Sequence, residues 1–209
     1  NSIYSKDSIL IAPLDWGLGH ATRCIPIIQY CIKHQKKIYV AAEGRVAALL
    51  KTEFPDINML PLKGYNIRYA DNPRFFLWKL FFQLPKIWWS VRKEKKWLDA
   101  VVKSHQIDCV ISDNRLGLVN KKTYSIFITH QLAIKTGYRF IDLIVRKINY
   151  SFINKFNECW VPDMKERNNY AGALSHPVKL PKTPVQYIGP LSRFEKRDFK
   201  KKYKINFIN

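Results

Sequence analysis

The sequence predicts an α/β fold: a doubly wound, mainly parallel sheet with helices on both faces. Three observations carry that expectation. Short apolar runs alternate with helical patterns along the chain. The first apolar run, residues 9–12, opens into a turn containing Gly17 and Gly19 and then a helical pattern, the geometry that presents side chains at the carboxyl edge of a parallel sheet. The 209 residues, 47% of them hydrophobic, suffice for one such domain with an ordinary core.

Taken in order, Ile25, Ile27, Ile28, Cys31 and Ile32 supply the apolar positions of the first helix. Residues 37–42 (KIYVAA) read as the second strand, 44–54 as a helix stopped by Pro55, and 57–60 as a short third strand. A loop is expected over 64–72, then helix over 75–102 in two parts, broken at Pro85. Strands follow at 107–112 (IDCVIS) and 124–129 (YSIFIT), a helix at 137–156, and strands at 158–161 (ECWV) and 185–188. The whole reads as one Rossmann-like domain over 1–192, with 193–209 as a basic tail.

The net charge is +20, from 36 Lys and Arg against 16 Asp and Glu. Such an excess favours an anionic partner: a phosphorylated substrate, an acidic membrane surface or nucleic acid. No nucleic-acid motif accompanies the charge, so that third class rests on charge alone. No long apolar span is free of charge, and residues 1–8 are polar, so neither a transmembrane helix nor a signal peptide is expected. Cys24, Cys31, Cys109 and Cys159 form no C-x-x-C pair and fit packing thiols of a reducing, cytoplasmic location. No H-E-x-x-H, EF-hand or Walker pattern occurs, and no metal is expected.

Ligands of parallel sheets bind beyond the carboxyl ends of the strands. The residues there are Asp15, Trp16, Gly17, Gly19 and His20 after the first strand, and Glu43 and Arg45 after the second. Asp113, Asn114 and Arg115 follow the fourth, His130 and Gln131 the fifth, and Asp163 the sixth. His20 is suited to proton abstraction near neutral pH, and Asp113 to fixing its tautomer. Arg23, Arg45 and Arg115 carry planar forks for phosphate or carboxylate. Helix starts after Gly19 and at Gly44 offer free amides to an anion. Structural alternatives stand beside each: His20 as a helix cap, Asp113 as a turn residue, His130 as a hydrogen-bonded scaffold residue. A dinucleotide loop is another alternative, with Glu43 on a ribose, although Thr22 stands where its third glycine belongs.

The loop Gly17-Leu-Gly-His-Ala-Thr-Arg23, followed by Pro26, resembles the glycine–histidine loop that opens the amino-terminal domain of GT-B glycosyltransferases. Gln186-Tyr-Ile-Gly-Pro-Leu-Ser-Arg-Phe194 resembles the hinge strand closing that domain. Within the family, the branch of the lipid II GlcNAc transferase and the galactolipid synthases is the most similar. The resemblance implies inverting, metal-independent transfer from a nucleotide sugar, a UDP-sugar co-substrate, to a hydroxyl or amine, lipid-linked in that branch. No tightly bound cofactor is implied. His20 would be the base and Asp113 its orienter. Gly17, Gly19, His20 and Arg23 would face the donor diphosphate. Asp15, Trp16, Glu43, Arg45, Asn114, Arg115, His130 and Gln131 would line the substrate. The resemblance also implies that these residues are the acceptor-binding half, with the donor-binding domain not among them.

Residues 75–97 (FFLWKLFFQLPKIWWSVRKEKKW) are apolar over too much of a helix for one core-facing stripe. Phe75, Phe76, Trp78, Phe81, Phe82, Trp88 and Trp89, with lysines and arginines between them, suit peripheral contact with an anionic membrane. A sandwiched helix is the alternative. A chain of this kind would also serve as the membrane-anchoring subunit of a split glycosyltransferase.

Overall fold

The computed structural model describes residues 3, 5–65, 76–165 and 169–192, and for 76–84 the backbone alone. The expected basic tail, 193–209, lies outside the described residues. The chain runs β1 (Ser8–Pro13), α1 (Leu18–Lys33), β2 (Lys37–Ala41), α2 (Gly44–Glu53), β3 (Asn58–Leu60) and α3 (Phe76–His105). It continues with β4 (Cys109–Asp113), β5 (Tyr124–Ile128), α4 (Arg139–Ile153), β6 (Glu158–Val161) and β7 (Val185–Tyr187). Among the described residues seven strands form one sheet, all parallel, in the order β3-β2-β1-β4-β5-β6-β7. The expected fold class holds.

Every residue of β1 and β4 is buried, which is why both read as continuous apolar runs rather than alternating ones. In register, Ile9, Ile11, Cys109, Ile111, Ile126 and Ile128 share one sheet face, where α1 and α2 supply Cys24, Ile28, Val46 and Leu50. Leu10, Ala12, Val110 and Phe127 point the other way. There α3 contributes Leu98 and Val101, and α4 contributes Ile153. So α3 and α4 cover the same face.

Strands added after β1 go to one side of it, and β4 to β7 go to the other. The winding therefore reverses between β1 and β4. Two adjacent strands feed their following loops in opposite directions there, leaving a crevice at the carboxyl edge.

Many element ends shift by one to three residues from expectation, and two differences bear on the packing and the site. Helix α3 is unbroken through Pro85, as α1 is through Pro26. A proline costs a helix one hydrogen bond and a steric clash with the preceding turn. In α3 that local cost is offset by the later turns, which bury Glu94, Leu98 and Val101 under the sheet. The fourth strand starts later than expected and includes Asp113 as its last residue.

Arg115 and Glu94 make a buried ion pair, Nε to Oε1 at 2.7 Å, with residue exposures of 0% and 3%. Glu94 Oε2 also accepts from the Tyr65 hydroxyl at 2.7 Å and the Gly117 amide at 3.0 Å. Arg115 Nη1 donates to the Pro13 carbonyl and Nη2 to the Lys63 carbonyl. Burial pushes the Glu94 carboxyl above its ordinary range and the Tyr65 phenol well above its own, the neighbouring Glu94 charge adding to the latter. Any side chain at Gly117 would run into Glu94 and the Val91 carbonyl, so the loop approaches α3 closely only because it is glycine there.

Removing one partner strands the other. R115M should lower the unfolding free energy at pH 7 by about 3–5 kcal/mol in urea titrations, and R115M/E94M should regain much of it. The single-variant loss should shrink as pH falls, because burial without the guanidinium pushes the Glu94 pKa up further and the carboxyl takes up a proton. A loss below about 1 kcal/mol at pH 7 would mean the pair is not the dry contact described.

Candidate active site

Gly17 has φ 150 and ψ 164, a conformation closed to other residues, and it turns the chain from β1 into α1. His20 falls in the first turn of the helix and Arg23 one turn later, so both side chains lie on the same helix face. Asp113 ends β4 beside Pro13 of β1. The two strands at the reversal thus bring these residues together, though 93 positions separate His20 from Asp113.

Asp113 is 0% exposed. A carboxylate so placed needs partners. His20 Nδ1 lies 2.8 Å from Oδ2, and Arg23 Nη1 donates to Oδ1 at 3.2 Å. An ionised carboxylate only accepts, so it selects the Nδ1–H tautomer and leaves the Nε2 lone pair of His20 available. The His20 side chain keeps 15% exposure, enough to meet a ligand at the edge. Asn114 follows with φ 56, a left-handed turn that asparagine tolerates, and sends Arg115 back under the sheet.

His130, at the end of β5, is half-buried. Burial pushes its imidazole pKa down, and the Arg23 and His20 charges push the same way, outweighing Asp113 and Asp163. Those four groups are therefore within electrostatic reach of it. Gln131 is exposed, and its carbonyl accepts from Asn149 of α4.

Around the first loop, Asp15 Oδ1 accepts from the Tyr65 amide, and Asp15 packs against Gly64, where a Cβ would overlap its carboxylate. Trp16 is 40% exposed and meets Tyr65 edge-on. Glu43 Oε1 accepts from the Gly64 amide, a loop-holding role where the dinucleotide reading put a ribose. Arg45 is exposed at the start of α2, beyond β2, away from the reversal. Arg115 corrects the expectation of a substrate contact. It is fully buried, and Glu94 and two carbonyls occupy its fork.

Of the residues expected at a membrane, Phe75 lies outside the described residues, as do the side chains of Phe76, Trp78, Phe81 and Phe82. Trp88 and Trp89 are exposed, at 45% and 60%, with the Arg92 guanidinium 3.5 Å from the Trp88 ring centroid. No described helix is long and apolar enough to cross a membrane. Among the described residues, no three His, Cys, Asp or Glu side chains group as a metal site.

One cluster went unassigned in the sequence. Asp163, after β6, is 1% exposed and accepts from the amides of Met164, Tyr170 and Ala171 and from the Ser175 hydroxyl. Ser175 Oγ also lies 2.8 Å from His176 Nδ1, and the His176 ring stacks on Tyr187 of β7. Burial pushes the Asp163 carboxyl up, but these four hydrogen bonds outweigh it and hold the pKa at about 2. The only sequence signal was its place after a strand.

No family model matches the chain, and no curated protein matches it. Solved structures do. The glycotransferase of kitacinnamycin superposes with TM-score 0.58 at 14% identity, over 92% of this chain and 53% of that one. Arabidopsis thaliana UGT89C1, complexed with UDP-L-rhamnose, gives TM-score 0.58 at 13% identity, over 91% and 54%. A UDP-glucosyltransferase from Polygonum tinctorium gives 0.53 at 9%, over 90% and 52%. The fold is shared with GT-B glycosyltransferases. At these identities the likeness is one of fold, and the chain spans about half the length of the structures it matches.

Two acid-sensitive groups give testable signs. Asp163 has a folded pKa of about 2 against an ordinary 3.8, so its stabilisation is complete above pH 4 and lost as pH falls toward 2. D163N should cost about 2 kcal/mol at pH 7 and flatten the acid limb below pH 4 in thermal melts. His130 is held neutral in the fold, so stability falls as pH drops below its ordinary 6.5. H130Q should lose less thermal stability than the wild type between pH 7.5 and pH 5.

Proposed function

We propose that this chain is the acceptor-binding part of an inverting glycosyltransferase that uses a nucleotide-sugar donor, a UDP-sugar. The observation that carries the reading is the His20–Asp113 hydrogen bond at the winding reversal, with Asp113 fully buried. That two fold neighbours, Phytolacca americana UGT2 and Arabidopsis thaliana UGT89C1, were solved with UDP-2fluoro-glucose and UDP-L-rhamnose supports the choice of donor.

In this reading His20 Nε2 takes the proton of an acceptor hydroxyl or amine as that group attacks the anomeric carbon. The bond from that carbon to the diphosphate oxygen breaks on the opposite side, inverting the centre, and UDP leaves with the bonding electrons. Asp113 stabilises the imidazolium and keeps its tautomer. The open amides at the start of α1 face the anionic leaving group. Arg23 is held one turn away by Asp113, which places its charge beside the same anion without leaving it free to swing. Asp15, Trp16, Asn114, His130 and Gln131 border the edge where the acceptor would lie. An acceptor carried on a lipid is the finer form of the proposal, in line with the lipid-glycosylating branch that the glycine–histidine loop resembles.

H20A tests the role. In the whole protein carrying this chain, UDP release from UDP-sugar with an acceptor panel should fall about 10²–10⁴-fold, with the circular-dichroism spectrum unchanged. Near-normal turnover in H20A would remove His20 as the base.

A further inference from the structure

Helix α3 turns a basic face to solvent. Glu94, Leu98 and Val101 are buried under the sheet. The opposite side of the helix carries Trp89, Arg92, Lys96 and Lys103, all exposed, and their spacing sets them along one line. Lys93 and Lys95, also exposed, flank that line. From Trp89 to Lys103 the track is about 21 Å long at the rise of an α-helix.

Over residues 85–105 the exposed acid is Asp99, and its Oδ1 accepts from Asn120 Nδ2 at 2.7 Å. That bond draws the loop between β4 and β5 alongside α3, and with it the exposed Lys121 and Lys122. Among the described residues, none of these seven basic side chains makes an ion pair with a carboxylate. Like charges so gathered repel one another until an anion neutralises them. Two indoles stand at one end of the track. Trp88 is 45% exposed and Trp89 60%, with ring centroids 6.1 Å apart and planes nearly perpendicular. The Arg92 guanidinium lies over the Trp88 ring, so Trp89 is the indole with the more open surface.

We propose that this face of α3, with the loop that Asn120 holds beside it, binds single-stranded nucleic acid. The phosphates lie along the lysines, and an unpaired base stacks on Trp89. A basic track joined to an exposed aromatic ring is the combination that holds a strand without reading its sequence, because every base has a flat face. A duplex keeps those faces stacked on one another, so the strand is unpaired. A bilayer-facing helix sets apolar side chains along its centre and cations at its rim. Here the centre line beyond Trp89 runs through Arg92, Lys96 and Lys103 instead. The net charge of +20 by itself named no surface for such a partner, and α3 supplies one.

The test is fluorescence anisotropy of a labelled oligo-dT strand with the whole protein carrying this chain, between about 50 and 200 mM salt. Binding that weakens with salt is expected. K96Q/K103Q should weaken it about tenfold and lower the slope of log K against log salt by about 1.4, the share of two phosphate contacts on a single strand. W89A should weaken it about tenfold and leave the slope unchanged. K33Q/K51Q removes the same charge from α1 and α2, on the other sheet face, and should change binding by less than about twofold. All of these positions are exposed, and circular dichroism verifies the fold of each variant. Absence of wild-type binding, or an equal loss in K33Q/K51Q, would overturn the proposal. So would full binding by W89A together with equal displacement by inorganic polyphosphate, since the surface would then take charge without bases. Anionic lipid vesicles that outcompete the strand at equal phosphate would overturn it too, as a lipid surface would be the better ligand. Strand binding requires no sugar transfer, so these outcomes are independent of the reading of His20.

Discussion

Two full charges with almost no water around them organise this domain. Glu94 comes from a helix and Arg115 from the turn after the central strand, and neither tolerates burial without the other. Having been forced together, they spend their remaining hydrogen-bonding capacity on the backbone. Arg115 ties down the last carbonyl of β1 and the Lys63 carbonyl, while Glu94 holds Tyr65 and Gly117. Tyr65 in turn donates its amide to Asp15 Oδ1. The loops on both sides of the winding reversal are therefore fixed from below. The upper side of the same reversal is left for Asp113, His20 and Arg23.

Those three residues divide one buried carboxylate between an imidazole and a guanidinium. The division has chemical content. Each Asp113 oxygen has its own cation-capable partner, Oδ2 facing His20 and Oδ1 facing Arg23. The imidazole is thus oriented by an acceptor that a guanidinium also holds in place. His130 lies in the same field, where burial above all lowers its pKa. One edge of one sheet carries His20, Asp113 and Arg23 in contact, and near them a second imidazole whose pKa burial lowers.

Much of this was legible in the chain. Ile9 to Ala12, KIYVAA and IDCVIS are apolar because their strands are covered on both faces, so a simple run sufficed to find them. Gly17 and Gly19 marked the loop, and strand-end position alone put His20 and Asp113 at one edge. Arg115 was misread because an arginine after a strand looks alike whether it points to solvent or turns under the sheet. The deciding feature was the left-handed Asn114, which short-range pattern does not reveal. Glu94 was the lone acid in Arg92-Lys93-Glu94-Lys95-Lys96, a charge run that reads as a solvated face. Its partner is 21 residues away, and nothing local distinguishes it. Pro85 shows the converse. The local rule against proline within a helix was sound, and anchoring further along the helix overrode it.

The strand order also sets the history of each molecule. On one side of the reversal, β1 to β3 are neighbours along the chain and pair through short connections; on the other, β4 to β7 do the same. A single seam joins the two groups, where Ile9 meets Cys109 and Pro13 meets Asp113. Closing that seam means closing a loop of roughly a hundred residues, whose entropy must be lost before any contact across it rewards the chain. Each group can collapse early around its own helices, yet the His20–Asp113 pair spans the seam and exists in neither alone. The imidazole acquires its carboxylate only when that seam has closed, so a chain with the seam open carries the histidine and the aspartate but not the pair they make.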